Sequence, residues 1–458
     1  MSSLSESSIL AGAAGGAADT TYTIDQSIRF NSADAPYMYR TPSSTSATNH
    51  RTWTLSVWFK IADMSNWGAS GQYNRSFLFA KSSNNQMGVY LGDGSGQVFQ
   101  FFFRNSGGTL ANLTTNRVFR DTSAWYHLVV IYDSTQAVSS ERIRVYFNGV
   151  RETSFSTETY PSQNTEGWIN NQSYQQEIGR AYQLARYFDG YLAEMHFLDG
   201  YAYDASYFGE FEENDIWIPK RYTGSYGTNG FYIKGQDSSA LGDDSSGNNN
   251  DFTTSGLAAH DQVPDSPTNN FCTGLPRGVG NATGVTFSEG NLTGKTSGTA
   301  GNWVSSIPVD SGKWYFEVNN HAHGSGNNLG IGQTPDGSYH HFALGSGGNQ
   351  INDYDIIVNT GSSGSIVGFK LDFDAGTLTH TTDGTSYSST GSLTSGMSYA
   401  AFARLGSSSG HVAFNFGQDS TFGGLETAGS KSDDNGIGDF YYNVPSGFLA
   451  ICTKNLGS

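Results

Sequence analysis

The sequence is poor in cationic residues, in cysteine and in long apolar runs. Lysine and arginine number 24 against 41 aspartates and glutamates in 458 residues, which gives a formal net charge of −17. Nucleic-acid binding depends on a basic surface, so this balance argues against a nucleic-acid partner. No run approaches the roughly 20 apolar residues of a membrane-spanning helix, and we therefore expect no membrane insertion.

Disulfides, targeting signals and common catalytic motifs are also scarce. The only cysteines are Cys272 and Cys452, too few for the disulfide framework of a small secreted domain, and we favour two free thiols over one bridge. Residues 1–22 contain no lysine or arginine. They therefore lack the basic start of a secretory signal, and we expect a soluble protein made in a cytoplasm. No G-x-S-x-G, phosphate-loop or C-x-x-C element occurs.

Glycine and aromatic side chains are abundant instead. Glycine occupies 58 positions, roughly twice its usual share of about 7%. Residues 51–63 alternate apolar with polar side chains, which predicts a strand, and residues 124–133 are apolar on both faces, which is typical of a central strand. Asn148-Gly149, between two alternating runs, predicts a hairpin. No segment has a sustained helical period, so the pattern predicts an all-β fold.

Residues 187–204 combine acidic, aromatic and aliphatic side chains. The pattern predicts a strand between two turns, Asp189-Gly190 and Asp199-Gly200, because aspartate beside glycine tolerates turn conformations. Glu194 and His196, two positions apart, would share one face and could act as an acid and a base. Glycoside hydrolysis requires two carboxylates, however, and this strand offers one. We interpret the pair as a solvated face.

Composition changes at about residue 221. Residues 222–270 are rich in glycine, serine and asparagine and end in a proline-containing stretch, which predicts a connector. A second β-rich segment follows over 271–458. The predicted organisation is an N-terminal arm at 1–21, a first domain at 22–221, the connector, and a second domain.

The first domain resembles the laminin-G-like, concanavalin A-like jelly roll. Five segments occur in the order typical of that family. They are "YTIDQSIRFNSADAPYMYRT" (22–41), "WTLSVWFK" (53–60), "AWYHLVVIYD" (124–133), "IRVYFNGV" (143–150) and "FDGYLAEMHFLDG" (188–200). The resemblance implies a two-sheet antiparallel sandwich.

The second domain resembles a SPRY domain, which is also a two-sheet sandwich. Four segments appear in that family's order. They are "GKWYFEV" (312–318), "LGIG" (329–332), "GFKLDFDAGTL" (368–378) and "FNFG" (414–417). The expected architecture is thus two tandem antiparallel β-sandwiches with an extended N-terminal arm.

The whole arrangement is similar to structural proteins of tailed bacteriophages. The shared features are the Ser/Ala/Gly-rich start, "YTIDQSIRFN" (22–31), the jelly roll, "DSPTNNF" (265–271) and a SPRY-like end. This resemblance implies a non-enzymatic virion protein, a fibre, spike or decoration subunit of the tail or capsid surface, made in the host cytoplasm. The alternative is a free lectin-like adhesin.

Enzymatic and metal sites are not predicted. Glucanases related to the jelly roll need alternate carboxylates on one strand, and the nearest run, "GEFEEND" (209–215), lacks that order. Asp133, Asp189 and Asp199 end strands, and 242–251 is rich in oxygen donors, but none of these fits a defined calcium loop. We predict no metal and no cofactor.

Candidate contacts lie in loops and in the N-terminal arm. Trp168 could stack on a sugar ring or pack across its loop, and Tyr339, His340 and His341 lie where the SPRY resemblance implies a ligand face, although exposed loop histidines are the simpler reading. The arm would attach to other virion proteins, and the symmetry of virion attachment sites favours a homo-oligomer, above all a trimer. The anchoring candidates are Ile9, Leu10, Ala11 and Ala13.

Overall fold

The computed structural model describes residues 22–43, 50–62, 75–82, 84–92, 96–181, 186–276, 284–322, 327–334, 355–358, 363–406 and 409–457. Within these ranges β-strands predominate, and the one α-helix is the short α1 (Thr453–Leu456). The sheets are antiparallel apart from one parallel pairing near the C-terminus. The predicted all-β class is confirmed. No helix in this part of the chain is long and apolar enough to cross a membrane.

The strands of the first sandwich are, in chain order, β1 (Ser27–Phe30), β2 (Tyr37–Arg40), β3 (Thr52–Ile61), β4 (Arg75–Ser82), β5 (Asn85–Leu91), β6 (Val98–Asn105), β7 (Gly108–Val118), β8 (Trp125–Asp133), β9 (Ile143–Phe147), β10 (Val150–Arg151), β11 (Phe155–Thr159), β12 (Gln175–Ile178), β13 (Arg180–Ala181), β14 (Arg186–Tyr187), β15 (Gly190–Asp199), β16 (Gly209–Phe211), β17 (Trp217–Pro219), β18 (Phe231–Ile233), β19 (Thr253–Ser255) and β20 (Gln262–Val263). Sheet one has the order β10-β9-β8-β3-β15-β1-β20, with β18 also paired to β15. Sheet two has the order β11-β7-β6-β5-β4-β12-β2-β19. Short 3-10 turns lie at Ser32–Asp34, Ser139–Glu141, Ala205–Tyr207 and Ala259–Asp261.

The strands of the second sandwich are β21 (Val285–Ser288), β22 (Thr293–Thr296), β23 (Gly301–Val304), β24 (Lys313–Ala322), β25 (Asn328–Thr334), β26 (Asp355–Val358), β27 (Ser365–Asp372), β28 (Thr377–Thr381), β29 (Ser388–Ser392), β30 (Ser398–Leu405), β31 (His411–Asn415) and β32 (Leu449–Ala450). One sheet has the order β21-β22-β31-β24-β27-β28-β29, with β32 parallel to β24. The other has the order β23-β30-β25-β26.

Sequence alternation explains the first core. The odd-numbered side chains of β3 all enter the apolar cluster between sheets one and two; they are Trp53, Leu55, Val57, Phe59 and Ile61. The intervening side chains face the other side of sheet one, because successive residues of a strand point to opposite faces. From Thr54 to Lys60 these are buried as well, since the chain after β15 covers that side and contacts both residues through Tyr201 and Asp265. β3 is therefore a doubly covered strand.

The predicted hairpin at Asn148-Gly149 is confirmed. Both residues have positive φ, 47° and 77°, as the tight turn requires. Val150 of β10 pairs with Phe147 of β9 directly across the turn. The turn glycine also lies close to Trp217, because a Cβ on Gly149 would fall 2.3 Å from the indole ring.

The predicted connector contributes strands to the first sandwich. β18 pairs with β15, β19 with β2, and β20 with β1. Short strands separated by turns carry much glycine, asparagine and serine, so the composition of 222–270 resembled that of a linker. The segment instead adds to both sheets and covers residues that would otherwise be exposed.

A buried polar junction joins the two sandwiches. Arg29 of β1 is fully buried, and its Nη1 lies 2.9 Å from Oδ2 of Asp419 in the loop after β31. The hydroxyl of Tyr191 in β15 donates a hydrogen bond to the carbonyl of Gly290, at 2.9 Å. Cys272, in the chain that leads into the second sandwich, donates its backbone N–H to the carbonyl of Ile451.

Both cysteine thiols are free. Cys272 and Cys452 are fully buried, which agrees with the favoured prediction. Burial raises the pKa of the Cys452 thiol to about 12, so the group is neutral at ordinary pH.

A candidate ligand-binding groove on the first sandwich

The chain between β15 and β18 covers the outer face of sheet one. Val129 and Ile131 of β8 pack there against Phe208 and Tyr222. The Oγ1 of Thr54 in β3 donates a hydrogen bond to the carbonyl of Tyr201, at 2.8 Å. The covering segment is therefore fixed to the sheet by apolar packing and by hydrogen bonds.

A groove with aromatic walls opens at the edge of this covering segment. Its volume is about 360 Å³, and we call it the aromatic groove. It is lined by Tyr146, Gly149, Asp204, Ala205, Ser206, Gly209, Glu210, Phe211, Trp217 and Lys220. Phe211 is 50% exposed, and its ring meets that of Trp217 edge-on at 4.8 Å. An accessible apolar ring face of this kind suits a ligand with flat apolar surfaces.

Local sequence explains how the groove is held. Asp204 begins the 3-10 turn Ala205–Tyr207, and its carboxylate accepts hydrogen bonds from the N–H and the hydroxyl of Ser206. β16 then pairs with β17, which brings Phe211 opposite Trp217. A Cβ on Gly209 would lie 2.4 Å from the Trp217 ring. Glycine at this position lets the indole pack against the backbone.

A histidine below the groove anchors Trp217. The indole N–H donates to Nδ1 of His127 at 3.0 Å, and Nε2 of His127 lies 2.8 Å from Oγ of Ser56. An indole nitrogen only donates, so Nδ1 must be unprotonated and the neutral ring carries its proton on Nε2. Burial, with the nearby His196 as a smaller cause, lowers the pKa of His127 to about 3. The ring is therefore neutral at physiological pH.

The rim of the groove is polar and charged. Nζ of Lys220 lies 3.4 Å from Oε2 of Glu210, and both side chains are about half exposed. Hydroxyl, carboxylate and ammonium groups around an aromatic face offer the hydrogen bonds that a polyhydroxylated ligand needs. The arrangement favours binding of a sugar-like ligand.

Trp168 lies elsewhere on the first sandwich and is half-buried. Its indole N–H donates to the carbonyl of Arg104 at 2.9 Å, and its ring stacks on Tyr174 with centroids 5.1 Å apart. These contacts show that the Trp168 ring packs across its own loop. The role of Trp168 as a platform for a sugar ring stays a prediction. The SPRY-loop candidates Tyr339, His340 and His341 lie outside the described residues.

The anchoring candidates in the arm are Ile9, Leu10, Ala11 and Ala13. They also lie outside the described residues. Attachment through the arm therefore stays a prediction.

The aspartates considered as calcium ligands accept hydrogen bonds from protein groups, Asp189 from the N–H and hydroxyl of Ser32. Asp133 accepts hydrogen bonds from the N–H and hydroxyl of Thr135. Asp199 accepts from the amide of Asn170 at 2.6 Å and from the N–H of Asn229 at 3.0 Å. In the oxygen-rich loop 242–251, Asp244 accepts three backbone N–H groups. The contacts of Asp133 with Thr135 and of Asp244 with Ser246 are local turn contacts, whereas Asp199 joins segments that are distant in sequence.

The interpretation of Glu194 and His196 as a solvated face is wrong. Each side chain is about 4% exposed. The register of β15 shifts between Ala193 and His196, and Glu194 has a positive φ of 49°, so a β-bulge interrupts the alternation. Aromatic rings from the predicted connector then cover this face, since His196 stacks on Tyr226 and on Tyr232 of β18.

Glu194 is the centre of a buried polar cluster. Its carboxylate accepts hydrogen bonds from the hydroxyls of Tyr22 and Tyr232, and Nε2 of His196 lies 3.4 Å away. Burial alone would raise the pKa of Glu194, but His196 and the two hydroxyls outweigh it and lower the pKa. The carboxylate is therefore ionised and fully partnered, as in a structural cluster.

Sequence reasoning missed the aromatic groove. It considered "GEFEEND" (209–215) only as a run of carboxylates that lacks the glucanase order and did not consider Phe211 or Trp217. An available signal was the pairing of two aromatic residues six positions apart around a turn-forming stretch. Nothing in the sequence, however, indicated that His127 would hold the indole.

Comparisons with known proteins agree with this fold. Residues 35–204 match the laminin G family model described as the concanavalin A-like lectin/glucanases superfamily. The first sandwich is thus a concanavalin A-like, laminin-G-like jelly roll. No curated protein matches the chain.

Solved structures that match part of the chain include a Bacteroides ovatus protein to which carbohydrate binding has been provisionally assigned. It is 14% identical, with a TM-score of 0.32, and the match covers 51% of this chain and 58% of that protein's length. The SPRY domain of human HERC1 matches at 16% identity and a TM-score of 0.23, over 28% of this chain and 91% of that one. The TRIM65 PSpry domain matches at 14% identity and a TM-score of 0.25, over 31% and 88%.

Proposed function

We propose that this protein is a non-enzymatic virion structural protein, a fibre, spike or decoration subunit of the tail or capsid surface, which binds host-surface glycans. The observation that carries the glycan part is the aromatic groove, an exposed aromatic face with a polar rim on a lectin-like sandwich. Sugar rings have apolar C–H faces and a hydroxyl edge, and such a groove complements both.

Phe211 is the central contact of this proposal. Its ring is half exposed and rests edge-on against Trp217, which is itself held by His127. A ring fixed in this way loses little conformational entropy when a ligand stacks on it, which favours binding. Glu210 and Lys220 at the rim supply hydrogen bonds to hydroxyl groups.

The groove favours binding over hydrolysis. Glycosidases need a carboxyl group that stays protonated near neutral pH and a second carboxylate across the scissile bond. Of the two carboxylates that line the groove, Asp204 accepts hydrogen bonds from Ser206, and Glu210 lies 3.4 Å from Nζ of Lys220 at the rim. Polysaccharide cleavage that Glu210→Gln abolishes would contradict the non-enzymatic proposal.

The structural role is supported by the position of the two motifs shared with phage proteins. Residues 22–31 and 265–271 are far apart in sequence but contact each other, since Oγ of Ser27 donates to the carbonyl of Asp265 at 2.6 Å. Asp265 also accepts from the buried Nζ of Lys60, at 2.9 Å. Both motifs also contact the C-terminal part of the chain, since Arg29 pairs with Asp419 and the N–H of Asn270 donates to Oγ1 of Thr453.

Glycan binding is tested with the purified full-length protein on a glycan array. Phe211→Ala should weaken binding of the best glycan about tenfold or more, because the stacking face is lost. Val138→Ala is the control, since Val138 is 60% exposed and lies outside the groove. Binding that survives Phe211→Ala unchanged would contradict the groove as the site, and loss on Trp168→Ala would favour the alternative platform.

Virion incorporation is tested by mass spectrometry of purified particles. We expect the full-length chain in particles and its loss when residues 1–20 are deleted, with the truncated protein still folded. Normal incorporation of the truncation would contradict anchoring through the arm. Light scattering of the free protein tests the proposed homo-oligomer, for which a trimer is expected.

A free lectin-like adhesin is the second candidate, favoured by the family match of residues 35–204. Glycan binding by a protein that is absent from purified particles would support the adhesin over the virion subunit. The two experiments together therefore distinguish the candidates.

A further inference from the structure

Three side chains with metal-ligating atoms converge at the junction of the sandwiches. His260 and Asp261 belong to the 3-10 turn before β20, and Glu289 follows β21. One ligand atom from each lies within 4.8 Å of the others. All three line a cavity of about 470 Å³ between the sandwiches, so an ion could enter from solvent.

The charge around this cavity is unbalanced. Arg29, fully buried, faces three carboxylates, with separations of 3.5 Å to Asp261, 3.1 Å to Glu289 and 2.9 Å to Asp419. Three carboxylates thus converge on one guanidinium, so acidic groups outnumber the basic group beside Arg29. A divalent cation is the kind of group that such an excess of carboxylates attracts.

A buried oxygen atom without a hydrogen-bond donor provides a second, independent observation. Asn31 is 5% exposed; its Nδ2 donates to Glu289 and, at 2.7 Å, to Asp34, whereas its Oδ1 has no hydrogen-bond partner. Oε2 of Glu289 has the Arg29 guanidinium as its partner, 3.1 Å away, so Oδ1 of Asn31 is the atom left without one. Buried acceptors that lack donors are costly and point to an ion or a water molecule at the site.

We propose that His260, Asp261 and Glu289 bind a divalent transition-metal ion such as Zn²⁺, with the amide of Asn31 and the carboxylate of Asp34 beside it. An imidazole nitrogen with carboxylates suits zinc and manganese, whereas calcium and magnesium prefer oxygen ligands alone. His260 and Asp261 belong to the first sandwich and Glu289 to the second. The bound ion would therefore clamp the two sandwiches together.

This site differs from the prediction of no metal. The sequence has no ligand pattern here, because 28 positions separate Asp261 from Glu289. The fold alone brings the three residues to one cavity, where β20 pairs with β1 and the turn after β21 meets Arg29.

The test uses the full-length protein after treatment with a chelator. Zn²⁺, Mn²⁺ and Ca²⁺ are titrated separately by calorimetry, and thermal unfolding is followed with and without each ion. We expect one Zn²⁺ per chain and a higher unfolding temperature. His260→Ala and Glu289→Gln should each weaken Zn²⁺ binding more than about tenfold. His380→Ala is the control, since His380 bonds Thr390 in the second sandwich.

Several outcomes would overturn the proposal. They are absence of Zn²⁺ binding by the chelator-treated protein, full binding by both ligand variants, and preferential Ca²⁺ binding that His260→Ala leaves unchanged. If the variants fail to fold, anomalous diffraction from zinc-soaked crystals of the unaltered protein tests whether Zn²⁺ binds at this site. An ion about 2.0–2.2 Å from the three residues supports the site, and an ion elsewhere or none overturns it.

Discussion

The indole nitrogen of Trp217 donates a hydrogen bond to Nδ1 of His127 at 3.0 Å, and this bond connects the aromatic groove to the centre of sheet one. His127 lies in β8 and stacks on Trp58 of β3, with ring centroids 4.6 Å apart. The ring that shapes the groove is thus fixed by two of the central strands. A platform of this kind keeps its geometry before a ligand arrives.

The first prediction concerns that hydrogen bond. Trp217→Phe should lower the free energy of unfolding by about 1–3 kcal/mol, because Nδ1 of His127 is left buried without a donor. Chemical denaturation measures the change. A double-mutant cycle with His127→Phe should show a coupling of about 1 kcal/mol. Strictly additive effects would show that the bond contributes no stability.

The second prediction concerns acid. Burial keeps the pKa of His127 in the folded protein near 3, whereas an unfolded histidine titrates near 6.5. Below pH 6.5 the unfolded state therefore binds an extra proton and stability falls. Between pH 6.5 and 5 the protein should lose about 2 kcal/mol relative to His127→Gln. Unfolding curves that stay parallel for the two proteins over this range would contradict the prediction.

The third prediction has the opposite sign and concerns the second sandwich. Burial raises the pKa of Glu317 to about 7, although the N–H groups of Tyr441 and Tyr442 oppose the shift. An unfolded glutamate titrates near 4.3, so between these values the folded state holds the extra proton and stability falls as pH rises.

The comparison that isolates Glu317 uses Glu317→Gln. Relative to that variant, the protein should lose about 3 kcal/mol of unfolding free energy between pH 4.5 and 7. The variant Glu213→Gln, which changes an exposed carboxylate, should keep the original slope. If the unfolding free energy of Glu317→Gln depends on pH as steeply as that of the unaltered protein, the prediction is wrong.

The fourth prediction concerns the junction. Arg29→Met should destabilise the protein by about 3–5 kcal/mol, because three carboxylates lose their buried cation. Arg51→Met is the matched control: its ion pair with Glu166 is exposed, and it should cost less than about 1 kcal/mol. If the junction makes the two sandwiches unfold together, calorimetry of Arg29→Met should show two separate unfolding transitions. Equal costs for both variants would contradict the buried role.

Sequence patterns predicted much of the fold but little of the groove. Alternation identified the core face of β3, and Asn148-Gly149 identified the hairpin that joins β9 and β10. The same reasoning failed in β15, because the bulge at Glu194 inverts the alternation partway along the strand. It also failed for part of 222–270, where turn-forming composition concealed the strands β19 and β20.

The sequence by itself determined the all-β class, the paired sheets and the main turns. These depend on local backbone preference and on a period of two, which neighbouring residues specify. Only the tertiary structure decided which polar groups are buried and which residues meet, such as Trp217 with His127 or Glu289 with Asp261. Such contacts depend on how distant segments cover one another, and that is a property of the packed chain rather than of any stretch within it.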